Sequence, residues 1–346
     1  MNGVPDGTVP QIMLASPGLL QQRVTWLTAA VAAVSMMTLF ARHWWLADLV
    51  ANLRVQVLLG LLGTLLLLMI FRRWRLVLFV MVIALWQAAA IRSAFLAPDN
   101  GVHRSNSAVM PVEEPSLLRV FLANVLTHNQ NHDQVIAQIR AAGPDVIAIL
   151  ELNSDLEKAL NQQLATSHPY VVSESQDNGN FGIGLWSRFP LANERVFHLN
   201  TPILPSIEAD VQLPSRAIHL VATHPLPPMG ARNFNHRNKH LALLGQRIQE
   251  QFRGDPAESV ILLGDLNLTP WSPLFHDFLA ATDLQNSAAG GGLQPTWYRW
   301  NAFPFGLVLD HGLHSGNLRC RERKILPPNG SDHRALILDF SANDVH

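Results

Sequence analysis

Residues 260–270 read VILLGDLNLTP, and the fold turns on how that stretch is parsed. Val260, Ile261, Leu262 and Leu263 form a continuous apolar run with β-branched residues, the pattern of a strand covered on both faces. Gly264 is expected to end the run, with Asp265, Asn267 and Thr269 following at alternate positions. If the chain stays extended past the glycine, Asp265 and Asn267 face the same side, because strand side chains repeat every second residue. Pro270 stops further pairing. Gly, Asp, Asn and Pro also make ordinary strand-to-turn junctions, so this stretch alone leaves both readings open.

On either side of it, strands alternate with amphipathic helices. Strands are expected at 117–123, 146–150, 181–186, 195–199, 207–213, 217–223, 307–313 and 334–340, and helices at 132–142, 155–165, 235–252 and 273–281. That order predicts a layered α/β domain with mixed sheets over residues 117–341, followed by a tail at 342–346. Several of the apolar strands finish in polar residues: Asn124, Glu151, His224, Asp310, and the pair Asp332-His333 just ahead of the last strand. Each has an ordinary structural explanation by itself. Together they point to one site.

Their chemistry is coherent. Glu151 and Asp332 are hard oxygen ligands suited to Mg²⁺ or Mn²⁺. Asp310 with His333 makes an oriented acid–base pair. Asp265 and Asn267 would position an attacking water and a phosphate oxygen, while Asn124 and His224 would stabilise charge on phosphorus oxygens. The sequence has neither the Gly-rich cradle and lysine of a nucleotide kinase nor a Gly-x-Ser-x-Gly nucleophile. Metal-assisted hydrolysis of a phosphate ester or anhydride is the simplest use of such a set.

In this order the motifs resemble the endonuclease/exonuclease/phosphatase superfamily, with the DNase I-like fold, over residues 117–341. Asn124 in FLANVL, Glu151 in AILEL, FGIGLWSRFP at 181–190, His224 in THPLPP, Asp265 and Asn267 in GDLN, Asp310 in LDH, and Asp332 with His333 in SDH carry the likeness. The resemblance implies a four-layer α/β sandwich of two packed mixed sheets, phosphoester cleavage, and Mg²⁺ or Mn²⁺ held by Glu151 and Asp332 with Asn124. His311 stands where many relatives carry another residue. The Arg237-Asn238-Lys239 cluster resembles a basic segment after the histidine motif, which makes Arg237 and Asn238 candidates for phosphate contact; a solvated helix face is the other reading.

Residues 1–99 are different in kind. They hold seven Lys/Arg and three Asp/Glu, against eighteen and twenty-three in residues 100–346. After a polar lead-in at 1–23 come three apolar stretches at 24–41, 55–71 and 76–96, each about long enough to cross a bilayer. They recur too often for a cleaved signal peptide. Arg72-Arg73-Trp74-Arg75 joins the second and third, and the positive-inside bias places it in the cytoplasm. The catalytic domain, tethered through 97–116, is then expected on the periplasmic or extracellular side of a bacterial inner membrane. Three spans resemble the membrane-anchored bacterial branch of the superfamily, which implies a substrate that is phosphorylated and lipid-linked. Trp297, Trp300, Phe303 and Phe305 would suit a lipid chain or the bilayer interface, or fill the core.

A nuclease on extracytoplasmic nucleic acid is the alternative, with those aromatics stacked on bases, but the mildly acidic domain lacks the basic surface such binding needs. A non-catalytic membrane-bound binding module is disfavoured by the intact polar set. The single cysteine, Cys320, excludes an intramolecular disulfide and a cysteine-based zinc site.

Overall fold

Apolar residues at every second strand position sort onto two faces, and that sorting builds the layers. In β1 (Leu118–Asn124), Leu118, Val120 and Leu122 point into the space between two sheets, whereas Phe121 and Ala123 point outward under helices. The computed structural model describes residues 17–96, 117–252, 258–300 and 305–342. After β1 come β2 (Val146–Leu150), β3 (Tyr170–Glu174), β4 (Ile183–Ser187), β5 (Leu191–His198), β6 (Pro205–Gln212) and β7 (Ala217–Thr223). They are followed by β8 (Ser259–Asp265), β9 (Gln285–Asn286), β10 (Trp297–Tyr298) and β11 (Gly306–Leu307). The last three are β12 (Asp310–His314), β13 (Leu318–Ile325) and β14 (Leu336–Ala342).

One sheet has the order β13-β14-β1-β2-β4-β3 and the other β5-β6-β7-β8-β12-β9, with β10 and β11 as a separate ribbon. Their inner faces share one apolar core. The helices at 132–142 and 154–164 cover the outside of the first sheet, and those at 231–252 and 273–282 the outside of the second. The result is the four-layer sandwich. Within it β1 runs parallel to β2, and β7 parallel to β8. The carboxyl ends of both parallel pairs emerge at one edge, and the site lies there.

Ahead of the sandwich stand α1 (Pro17–Met37), α2 (Trp45–Asn52), α3 (Arg54–Ile70) and α4 (Trp74–Ile91). Residues 18–40 and 74–94 form two helices long and apolar enough to cross a membrane, and α2 with α3 would make a third span bent by 72°. The four helices of the sandwich, α5 (His132–Ala142), α6 (Ser154–Leu164), α7 (Ala231–Phe252) and α8 (Pro273–Thr282), follow in chain order.

Several expectations need correction. The first helix starts at Pro17, inside the stretch read as lead-in, and α2 had no counterpart in the sequence reading. The tether at 97–116 lies outside the described residues, as do residues 1–16, Phe303 and the last four of the tail. β8 passes through Gly264 and ends at Asp265, so the apolar run stops at the glycine while the strand continues to the carboxylate. Glycine is needed there for closeness: a Cβ would sit 2.3 Å from the Thr223 carbonyl oxygen of the neighbouring strand. β13 was missed because its sequence, LRCRERKI, is that of a charged edge strand, half exposed, with no buried run to betray it.

Candidate active site

Asn124, the last residue of β1, is the bridge between the two sheets. Its Nδ2 donates to Glu151 Oε1 at 2.8 Å and to Asp265 Oδ2 at 3.2 Å. Glu151 follows β2 with φ of 58°, a left-handed backbone that a non-glycine residue holds only when its surroundings enforce it. Thr127 supplies part of that enforcement, its backbone N–H donating to Glu151 Oε2 at 3.3 Å.

Asp265 ends β8 and gathers the rest. Its Oδ2 lies 3.4 Å from His224 Nε2 and 3.5 Å from His333 Nε2. Asp310, opposite Asp265 in the β8–β12 register, bonds His333 Nδ1 through Oδ2 at 2.8 Å. His333 is therefore wedged between two carboxylates. It is placed by the turn before it, where Ser331 Oγ accepts from the His333 N–H and donates to the Asn124 carbonyl. Gly330 makes that turn with φ of 97°, and a Cβ there would strike Asn129 Oδ1 at 2.4 Å.

Burial alone would lower the pKa of His333, but the charges of Asp310 and Asp265 outweigh it and push it up to about 10. Burial works against ionised Asp265 in the same way, and His333 and His224 reverse it, holding the carboxyl down at about 2. His224 is raised for the matching reason, burial being overcome by Asp265. At neutral pH the pocket thus contains charged His333 next to ionised Asp265. His240 lies behind it, bonded to the Thr223 hydroxyl; burial and then His224 lower it to about 4, so it stays neutral.

Three carboxylates, Glu151, Asp265 and Asp310, are at most 7% exposed, Asp332 adds a fourth at the rim, and among the described residues the cationic groups they face are His224, His333 and, beside Asp310, Arg323. That excess of buried hard oxygens fits a divalent cation. Asp265, Asp310 and His333 each offer an atom within 4.8 Å of the others. A protonated imidazole has no lone pair to give, however. Glu151 with Asn124 is accordingly the better cation-holding side. Asp332 is at the rim and exposed, its Oδ2 accepting from Trp297 Nε1 at 2.8 Å. Of the proposed ligands it alone stands outside the buried cluster.

Two expectations about neighbouring residues fail. Asn267 is not the next residue of an extended strand: its φ is 50°, its N–H caps Asp265 Oδ1 at 3.0 Å, and its Nδ2 donates to the Pro225 carbonyl. An aspartate followed by a turn makes this local bond in preference to more strand. Arg237 is not a phosphate contact. It is fully buried and ion-paired with Asp48 at 2.9 Å, and Asn238 Oδ1 accepts from its guanidinium. Only the tertiary fold brings Asp48 within reach.

Two residues that the sequence did not flag, Thr296 and Arg323, and two that it named without assigning a role, Phe181 and His311, complete the site. Thr296 Oγ1 accepts from the N–H groups of Leu309 and Asp310, fixing the start of β12. Arg323 on β13 donates to the Asp310 carbonyl. Phe181 packs its ring against His224 with centroids 5.4 Å apart. His311 is buried beside Phe275 and bonds the Leu268 carbonyl at 2.7 Å, while burial lowers its pKa to about 4. A threonine and an edge-strand arginine carry no pattern that would single them out.

The sequence model described as the Endonuclease/Exonuclease/phosphatase family matches residues 122–333. Among solved structures, the catalytic domain of human Nocturnin is similar at TM-score 0.55 and 21% identity, over 65% of this chain and 94% of that one. TDP2 of D. rerio complexed with a single-strand DNA product has TM-score 0.53 and 17% identity, over 65% and 99%. A mannosyl-6-phosphatase of Bacteroides thetaiotaomicron has TM-score 0.53 and 15% identity, again over 65% and 99%. No curated protein matches the chain.

Proposed function

The chain belongs to the endonuclease/exonuclease/phosphatase family of phosphoester hydrolases, and from that premise we propose a membrane-anchored, Mg²⁺- or Mn²⁺-dependent phosphoesterase whose substrate carries its phosphate or pyrophosphate on a lipid. The observation that supports hydrolysis most directly is the wedge of His333 between Asp265 and Asp310, with Asn124 tying Asp265 to Glu151. Asp310 fixes the ring so that Nδ1–H points to it and Nε2–H points into the pocket. That charged N–H would donate to a phosphoryl oxygen as negative charge builds there. Asp265, ionised at any physiological pH, would accept from the attacking water and orient it, His224 would hold a remaining oxygen, and Asn124 would keep Asp265 and Glu151 in place. A divalent ion held by Glu151 and Asn124, with Asp332 reaching from the rim, would supply charge neutralisation of the phosphate and a more acidic water.

Three observations support the membrane reading. Leu62, Leu66, Val82 and Leu85 are among the large apolar side chains exposed on α3 and α4, a surface that a bilayer would cover. Arg73 bonds Gln21 at the start of α1, whereas Val55 and Ile91 at the other end pack on Trp271 and Val308 of the sandwich. The Arg72–Arg75 cluster therefore lies at the end of the bundle remote from the sandwich, and the positive-inside bias would put the active site outside the cytoplasm. Exposed Trp300 is edge-on to Phe305 at 4.8 Å, and Phe305 precedes Gly306, whose carbonyl Gln56 of α3 bonds, so these aromatics flank the junction where headgroups would lie.

The test is the full chain in detergent micelles with Mg²⁺ or Mn²⁺, offered a prenyl pyrophosphate, a chromogenic phosphodiester and plasmid DNA. Release of phosphate from the prenyl substrate is expected to dominate. Nicking of plasmid without phosphate release would replace this reading with the nuclease.

A further inference from the structure

The loop that carries Asp265 and Asn267 is fastened from outside the sandwich. Asn52, at the end of α2, accepts through Oδ1 from the Thr269 N–H at 2.7 Å and the Thr269 hydroxyl at 3.0 Å. Its carbonyl accepts from Trp271 Nε1 at 3.0 Å, and its Nδ2 donates back to the Asp48 carbonyl. One turn earlier in α2, Asp48 pairs with Arg237, and the same guanidinium nitrogen that meets Asp48 donates to the Asn267 carbonyl at 3.1 Å. Asp48, Asn52, Arg237, Thr269 and Trp271 are all at most 4% exposed. Bonds so shielded from water hold their geometry against solvent competition.

What they hold is a strained backbone. Asn267 keeps its left-handed φ of 50° while its N–H fixes Asp265 Oδ1, so the loop shape and the catalytic carboxylate move together. Such a conformation persists only where the surroundings over-determine it. From within the sandwich His311 holds the Leu268 carbonyl; on the facing side the holders are the Arg237–Asp48 pair and Asn52.

Resting on the phosphoesterase reading above, we infer that Asp48 and Asn52 of α2 are positioning residues of the active site, so that the membrane bundle is a working part of the hydrolase as well as its anchor. Neither touches the reacting atoms. Both act through Arg237, Thr269 and Asn267 on Asp265. Displacement of a catalytic group by about 1 Å costs on the order of a hundredfold in rate, so slackening of this loop is read in kcat more than in substrate binding.

The experiment uses the full chain in micelles with Mn²⁺ and the chromogenic phosphodiester, or whichever member of the panel above the unaltered chain turns over, with rates normalised to folded protein. Asn52→Ala is expected to lower kcat by about tenfold with KM changed less than about twofold. Adding Thr269→Val to it should cost less than about a further twofold, because both changes cut the same bond. Arg42→Ala removes the exposed Arg42–Asp277 pair, a second contact between bundle and sandwich that touches no loop residue, and should leave kcat unchanged. If Asn52→Ala does not accumulate folded, Thr269→Val alone carries the test, with a smaller kcat loss at constant KM. Additive losses, an Arg42→Ala loss equal to that of Asn52→Ala, or a kcat unmoved by either loop change would overturn the inference alone. An unaltered chain without turnover on the whole panel would sink both the inference and the reading beneath it.

Discussion

Two regions of this molecule bury charge, and they handle it in opposite ways. At the junction, Asp48 and Arg237 neutralise each other one to one, Asn52 uses both ends of its amide, and the Asn267 and Asn52 carbonyls are met, although Asp48 Oδ1 is buried without a hydrogen-bond partner among the described residues. A few ångströms further along the same loop, Glu151, Asp265 and Asp310 crowd around His224 and His333, and Asp310 Oδ1 and His224 Nδ1 are buried without a hydrogen-bond partner among the described residues. One-to-one charge pairing makes a joint, because breaking it exposes an uncompensated charge. An unbalanced cluster makes a site, because its surplus is available to a cation and to a substrate. Burial of polar groups thus does not distinguish support from chemistry. The balance of charge among them does.

The sharpest way to break the comparison is to remove one group from each region. Glu151→Gln or His333→Ala should cut kcat by about a thousandfold, on the order of 4 kcal/mol of transition-state stabilisation, while the melting transition stays cooperative; near-normal turnover in either would take that residue out of the chemistry. Asp48→Ala should do the reverse in kind. It leaves Arg237 buried without its carboxylate and should cost about 3 kcal/mol of stability in denaturant melts, with Asn52-like slackening of turnover as a secondary effect.

Proton linkage separates the regions more gently. His311 and His240 have folded pKa values near 4, below the unfolded 6.5, so the stability they contribute is whole above pH 6.5 and is lost progressively as pH falls towards 4. His333 runs the other way: raised to about 10, it stabilises fully below pH 6.5 and loses that contribution as pH rises through about 10. With a chelator present, the thermal midpoint should peak near pH 6.5, and His333→Gln should flatten the alkaline limb while leaving the fall between pH 6.5 and about 4 in place. The smallest effect is reserved for the surface of the joint. Arg42 and Asp277 are each about half exposed, and Arg42→Ala should move stability by less than about 1 kcal/mol, and less still at high salt.

The strands were legible wherever burial wrote a run of apolar residues. Residues 146–150 and 217–223 are strands over the very span expected, and α5 coincides with its predicted 132–142. β3 and β13 escaped because edge strands carry exposed and charged residues that resemble loops. The site was legible because strand ends that carry carboxylates, amides and histidines are conspicuous after apolar runs. Arg237 was misread for the same reason that made it noticeable. A basic residue after a histidine motif looks like an anion contact until its partner, 189 positions away in α2, is known.

The sequence alone determined the alternation of strands and helices, the apolar character of the first hundred residues, and the types of side chain that do chemistry, because burial periodicity and donor chemistry are local properties of the chain. Tertiary structure decided who meets whom: that Asn124 bridges Glu151 and Asp265, that His333 lies between two carboxylates, and that α2 grips the loop after β8. Contacts between residues some two hundred positions apart depend on the packing of whole layers, and no local pattern encodes them.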